Sequence, residues 1–169
     1  MAAYDAFLRG EQLSQSMAVS DPNLLRKAIA LYEQAATLDP EFVEAWAQLS
    51  RAACLLVSTT PHPDDRTRCK DGAARALALA SGSPEARLAM GAYLRHMLRD
   101  YDAALAQLNA GLQVHPQNAE LLAASAVVER TLGKFEQALV HLQQAARLDP
   151  RSVQSASVAS TRAFPNRAG

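Results

Sequence analysis

The sequence is poor in the residues that build sheets. Valine and isoleucine together number 10 of 169 residues, and aromatics make up 5%. β-Sandwiches and barrels draw on those side chains, so an all-β fold is excluded. Neither charge sign dominates: 17 basic side chains face 17 acidic ones, for a formal net charge of zero. A nucleic-acid-binding domain normally carries a strong basic excess, so nucleic acid is not an expected partner. The longest apolar run, Ala52 to Val57, is far short of the roughly 20 residues a membrane span needs, so no membrane partner is expected either. The stretch Met1 to Gly10 contains Asp5 and Arg9 and lacks the apolar core of a signal peptide. Only two cysteines occur, Cys54 and Cys69, outside any Cys-x-x-Cys or Cys/His pattern. The expectation is two reduced thiols in a cytoplasmic protein, with a disulfide between neighbouring helices as the alternative. What is abundant is alanine (35) and leucine (23), both strong helix formers. The length suits a single domain with its own core.

The helical material repeats. Three segments end alike: Ala35 to Pro40, Gly111 to Pro116 and Ala145 to Pro150, each with proline last. Before each ending stands a small residue, an apolar residue four on, and a small one three further. These sets are Ala28, Tyr32, Ala35; Ala104, Leu108, Gly111; and Ala138, Leu142, Ala145. Pro116 and Pro150 are 34 residues apart, while Pro40 and Pro116 are 76 apart, enough for two units with an insertion. A degenerate unit fills that gap, with its second helix expected over Cys69 to Ala80. A companion pattern opens the units, seen in Trp46, Leu49, Ser50; in Met90, Gly91, Leu94; and in Leu122, Ser125, Ala126. Small residues at fixed points let two helix backbones approach, and large ones fill the space between them. Proline then stops the helix that precedes it.

With this 34-residue pattern of W-x-x-L-G, then A-x-x-x-F/Y/L, then P, the chain resembles the tetratricopeptide repeat (TPR) family over about residues 2 to 152. The resemblance implies an all-α fold, an α-α superhelix of four helix-turn-helix repeats and eight helices. The repeats fall at about 2–42, 43–83, 84–118 and 119–152. Residues 153–169 are read as a weak capping helix, carried by Val153, Ala156, Ala159 and Ala163, or as the start of a further repeat. Departures from the pattern are an extra stretch from Ser14 to Asn23, a long turn from Ser58 to Arg68, and one extra residue near Leu98. Expected N-caps are Asp21, Asp64 or Asp65, and Asp100. Ala3 to Gly10 and Leu98 to Leu105 are further similar to the TPR portion of bacterial multidomain signalling proteins. In those relatives the repeats accompany a Ser/Thr kinase, a nucleotide cyclase or a winged-helix regulator. None of the kinase motifs occurs here.

Chemistry is hard to find. All seven glycines are isolated, which leaves no phosphate-cradling loop. His62, His96, His115 and His141 are spaced by 34, 19 and 26 residues, without the i, i+4 pairing of a helical zinc site. No Ser/His/Asp trio is brought together by the repeat. The expectation is therefore no enzyme activity, no catalytic residue, no metal and no cofactor. The TPR resemblance instead implies binding on the first helix of each repeat. Read onto this chain, it gives a basic column of Arg9, Arg51, Arg95 and Arg130, with Arg51, Arg95 and Arg130 as the expected contacts and Gln48, Leu88 and Val127 as neutral lining. Glu44, Glu85 and Glu120 form an acidic margin. Arginine forks grip carboxylates bidentately, so the expected partner is a protein or peptide, acidic or presenting its C-terminus. The Lys/Asn clamp that some family members use on chaperone tails is absent: the matching places hold Asp5, Arg9, Gln48, Leu88 and Ala92. A second expectation is a structural arm that self-associates through the C-terminal repeat, near Leu139, Leu142 and Leu148.

Overall fold

The computed structural model describes residues 1–15 and 21–151. Among them are eight α-helices and no strand: α1 (Ala2–Gln15), α2 (Pro22–Leu38), α3 (Val43–Thr59), α4 (Pro63–Leu79), α5 (Pro84–Tyr93), α6 (Tyr101–Val114), α7 (Ala119–Thr131) and α8 (Phe135–Leu148). A π-helical turn, Leu94–Leu98, extends α5. The chain divides into two compact units, Met1–Arg99 and Asp100–Gly169. In the first, α1 pairs with α2 and α3 with α4, and α3 also packs on α2 and α5. In the second, α7 packs on both α6 and α8.

The small residues of the repeat pattern lie where helices touch. Ala28, Ala35, Ala104 and Ala145 are fully buried, and Ala138 nearly so. The core of the first unit gathers Leu25, Ile29, Tyr32, Leu49 and Leu56. That of the second gathers Leu122, Ala123, Val127 and Ala145, with Leu112 and Leu142 half-buried against them. One turn recurs after the second helix of a hairpin. The Phe42 amide donates to the Asp39 carbonyl, that of Ser83 to Ala80, and that of Asn118 to His115. Ala80 thus does in the degenerate unit what Asp39 and His115 do in the others, although no proline follows it.

The N-caps are set locally. Asp21 and Asp100 accept from the Asn23 and Ala103 amides, as the sequence suggested. For α4 the cap is His62, whose Nδ1 accepts from the Asp64 amide, so Asp64 and Asp65 are first-turn acids instead. Pro63 occupies the first helical position, where its missing N–H costs nothing and its fixed φ suits the helix. Consequently α4 begins six residues before the expected Cys69, and the turn before it shrinks to residues 60–62. The surplus residue near Leu98 is absorbed as the π-turn, the usual way a helix takes in one residue. Residues 16–20 of the expected stretch Ser14 to Asn23, and the whole of the expected cap over Val153 to Ala163, lie outside the described residues.

The cysteine expectation is overturned. Cys54 on α3 and Cys69 on α4 form a disulfide, with Cα atoms 4.8 Å apart, and no cysteine is free. Starting α4 at Pro63 carries Cys69 into the body of the α3/α4 hairpin, level with Cys54. Both residues are fully buried.

Candidate functional site

The predicted surface is built in the first unit by α1, α3, α5 and the π-turn. On α3, Gln48, Arg51 and Ser58 recur at helical spacing along one face. Gln48 Nε2 donates to Glu11 Oε1 of α1 at 2.9 Å, and Arg51 Nη1 donates to Gln48 Oε1 at 3.3 Å. The same Glu11 oxygen accepts from the Tyr32 hydroxyl at 2.7 Å, with Ser14 Oγ 3.0 Å from that hydroxyl. Burial, reinforced by the Glu11 carboxylate, raises the Tyr32 hydroxyl pKa above its ordinary value. The phenol is therefore a fixed donor at any working pH. Glu11 orients Gln48, and Gln48 in turn holds the Arg51 fork.

Further along α3, Ser58 Oγ and His96 Nδ1 of the π-turn are 2.9 Å apart. Burial first, then Arg95 and Arg99, push the His96 pKa down to about 4. The imidazole is thus neutral near pH 7. In the unfolded chain it takes a proton near 6.5, so the unfolded state binds more protons between those values. Stability that is complete above about pH 6.5 should fall as the pH drops towards 4. A urea-midpoint series against pH checks this: His96→Gln should flatten the slope, and an unchanged slope would refute the assignment.

Of the six predicted residues, Gln48, Arg51, Leu88 and Arg95 lie in the first unit, and Val127 and Arg130 in the second. Arg51, Arg95 and Arg130 are all half-buried. Leu88 and Val127 are only 6% and 7% exposed, so they offer a partner an edge rather than a face. Val127 belongs to the core cluster with Leu122 and Ala145. Glu44, Glu85 and Glu120 each lie in the first turn of their helix, where acid complements the dipole. Glu85 also accepts from Ser83 Oγ at 2.6 Å. The acidic margin is thus a set of helix-start charges. Sequence reasoning missed Glu11, Ser58 and His96. The spacing of Phe7, Glu11 and Ser14 places Glu11 on the packed side of α1, a signal that was available. The pairing of Ser58 with His96 depends on the π-turn and was not.

Elsewhere in the first unit, α2 and α4 border an open cleft of about 480 Å³, lined in part by Arg26, Glu33, Asp65 and Arg68. Asp65 is 1% exposed and accepts from Arg26 Nη1 at 3.1 Å, while Arg68 reaches both Glu33 oxygens. In the second unit the buried Glu129 carboxylate is 2.9 Å from His141 Nδ1. Among the described residues no group of three or more His, Cys, Asp or Glu is placed to hold a metal ion, and no helix is long and apolar enough to cross a membrane.

These hairpins, with small residues at the crossings and a recurring turn between successive pairs, define the tetratricopeptide-repeat fold. Among solved structures the chain is similar to TTC0263, a thermophilic TPR protein of Thermus thermophilus, at 18% identity and a TM-score of 0.72. That match covers 95% of this chain and 84% of the other. Crystal structures of MamA are similar at 17% and 16% identity, with TM-scores of 0.54 and 0.52. They cover 90% and 82% of this chain and 75% and 80% of theirs. No family model matches the sequence, and no curated protein matches it. The likeness is one of fold.

Proposed function

We propose that the chain is a non-enzymatic protein-interaction module whose repeats, at about 2–42, 43–83, 84–118 and 119–152, take a peptide of a partner protein. The observation that carries this reading is the Glu11–Gln48–Arg51 row, in which Glu11 of α1 and Gln48 of α3 hold the Arg51 guanidinium in a set position. Arg95 adds a second cation from the π-turn of the same unit, and Leu88 an apolar edge. Arg130 and Val127 offer the same pair of chemistries in the second unit. A peptide rich in Asp and Glu, or ending in a free carboxylate, is the ligand such forks suit.

The test uses a fluorescent Asp/Glu-rich peptide with a free C-terminus, titrated with wild type and with Arg51→Glu/Arg95→Glu/Arg130→Glu. Binding should weaken at least 100-fold, and added salt should weaken it in wild type, with helicity by circular dichroism unchanged. Equal affinity in the two proteins would sink the proposal.

A second reading is favoured by α8, where Phe135, Leu139 and Val140 are each more than half exposed. On this reading the repeats are an oligomerising arm of a larger bacterial signalling protein. Light scattering across a dilution series tells the two apart, because only the arm forms dimers as concentration rises. The expectation of a cytoplasmic protein rested on the lack of a signal-peptide or membrane-span pattern and on two reduced thiols, and the disulfide withdraws the second of these supports.

A further inference from the structure

Helix α4 is attached in an unusual way. Its first two turns, Pro63 to Lys70, contain no aliphatic or aromatic side chain apart from the proline ring, and only Asp65 and Cys69 are buried there. Below that point the helix is held by ordinary packing. Ala73 and Ala76 sit in a small apolar cluster with Ala47 and Ala86. Gly72 lets the backbones meet, since a Cβ there would stand 2.9 Å from the Trp46 carbonyl oxygen. In the upper half only Cys69 reaches an apolar cluster, the one that holds Leu25, Ile29 and Cys54. This half is fastened by the Asp65–Arg26 pair, by Arg68 on Glu33, by Ser50 Oγ donating to the Cys69 carbonyl at 2.6 Å, and by the disulfide. Apart from the cystine and its packing there, every fastening is polar, and water can replace each of them once α4 lifts.

We propose that Cys54–Cys69 is a redox latch on α4: the oxidised chain holds the first two turns of α4 against α2 and α3, and reduction releases residues 63–71 while the rest of the first unit stays folded. The inference is independent of the peptide-binding reading. Reduction needs two electrons and two protons, supplied by a dithiol. One thiolate of the dithiol attacks a cystine sulfur, forming a mixed disulfide and expelling the other cysteine as a thiolate, which takes up a proton. The second thiol of the reductant then displaces the remaining cysteine and closes its own disulfide. Both cysteines are fully buried, so attack must wait for α4 to lift. The Arg26–Asp65 pair therefore sets how often the latch is presented to the reductant. The released half would also open the cleft it shares with α2.

The test is hydrogen exchange by mass spectrometry on the full chain, oxidised and after dithiothreitol, with reduction verified by alkylation of two thiols. In the reduced chain, peptides covering 63–71 should exchange at least 100-fold faster than peptides from α2, whereas in the oxidised chain the two should be within tenfold. Overturning results are equal protection of 63–71 and α2 after reduction, or two free thiols in the unreduced protein. Reduction kinetics give a second readout that does not depend on a folded variant without the disulfide. Arg26→Gln should speed reduction of the native protein about tenfold, and an unchanged rate would overturn the gating by that pair.

Discussion

Tyr32→Ala should destabilise the first unit by about 3–5 kcal/mol, the range for removing a large buried aromatic ring. The ring is 1% exposed and packs against Phe7, with centroids 5.9 Å apart. It also lies directly over Gly10, where a Cβ would come within 2.6 Å of Tyr32 Cε1. α1 is thus shaped to the ring, and a methyl group in its place leaves a void bordered by a glycine. The hydroxyl adds a smaller contribution through Glu11 and Ser14. Tyr32→Phe separates the two, keeping the ring and losing about 1 kcal/mol from the missing hydrogen bonds. Urea unfolding followed by far-ultraviolet circular dichroism measures both. A loss below about 1 kcal/mol for Tyr32→Ala would mean that Tyr32 does not organise the α1/α2 hairpin.

The second large effect is loss of the disulfide. Cys54→Ala/Cys69→Ala opens a loop of 15 residues, and the chain-entropy argument for a loop of that length gives about 3 kcal/mol. The variant's urea midpoint should lie below that of oxidised wild type and should not move when dithiothreitol is added. Wild type treated with dithiothreitol should fall to about the variant's value. If variant and oxidised wild type unfold at the same urea concentration, the cross-link contributes nothing to stability. Buried fully on both sides, it has little surface through which to be reduced by accident, so the comparison is clean at neutral pH.

The hairpin pattern was legible because its carriers are themselves the contact points. Ala28, Tyr32 and Ala35 recur at intervals that fix one face of α2, and all three are buried to within 1%. The same logic placed Ala104, Leu108 and Gly111 on α6. It failed at the start of α4, where the first two turns have no apolar periodicity to read. Losing those two turns also left the disulfide as the alternative rather than the expectation. A helix beginning at Cys69 puts that residue at a helix terminus, whereas one beginning at Pro63 sets it opposite Cys54. At the proposed site, the family resemblance pointed to Gln48 and Arg51 but not to Glu11, since the partner of a side chain depends on tertiary packing between α1 and α3. Leu88 and Val127 illustrate the converse: a position on the first helix of a hairpin can be claimed by neighbouring side chains and leave only an edge in view.

The π-turn at Leu94–Leu98 bears on how such chains change over generations. A single-residue insertion in a helix ordinarily rotates everything beyond it by about 100° and takes core residues out of the core. Here the surplus is taken up within one wide turn, whose Arg99 cap has φ 57°, and Tyr93 and Met97 both remain against the hydrophobic cluster. A chain can therefore take in one residue at this point while keeping the same interior.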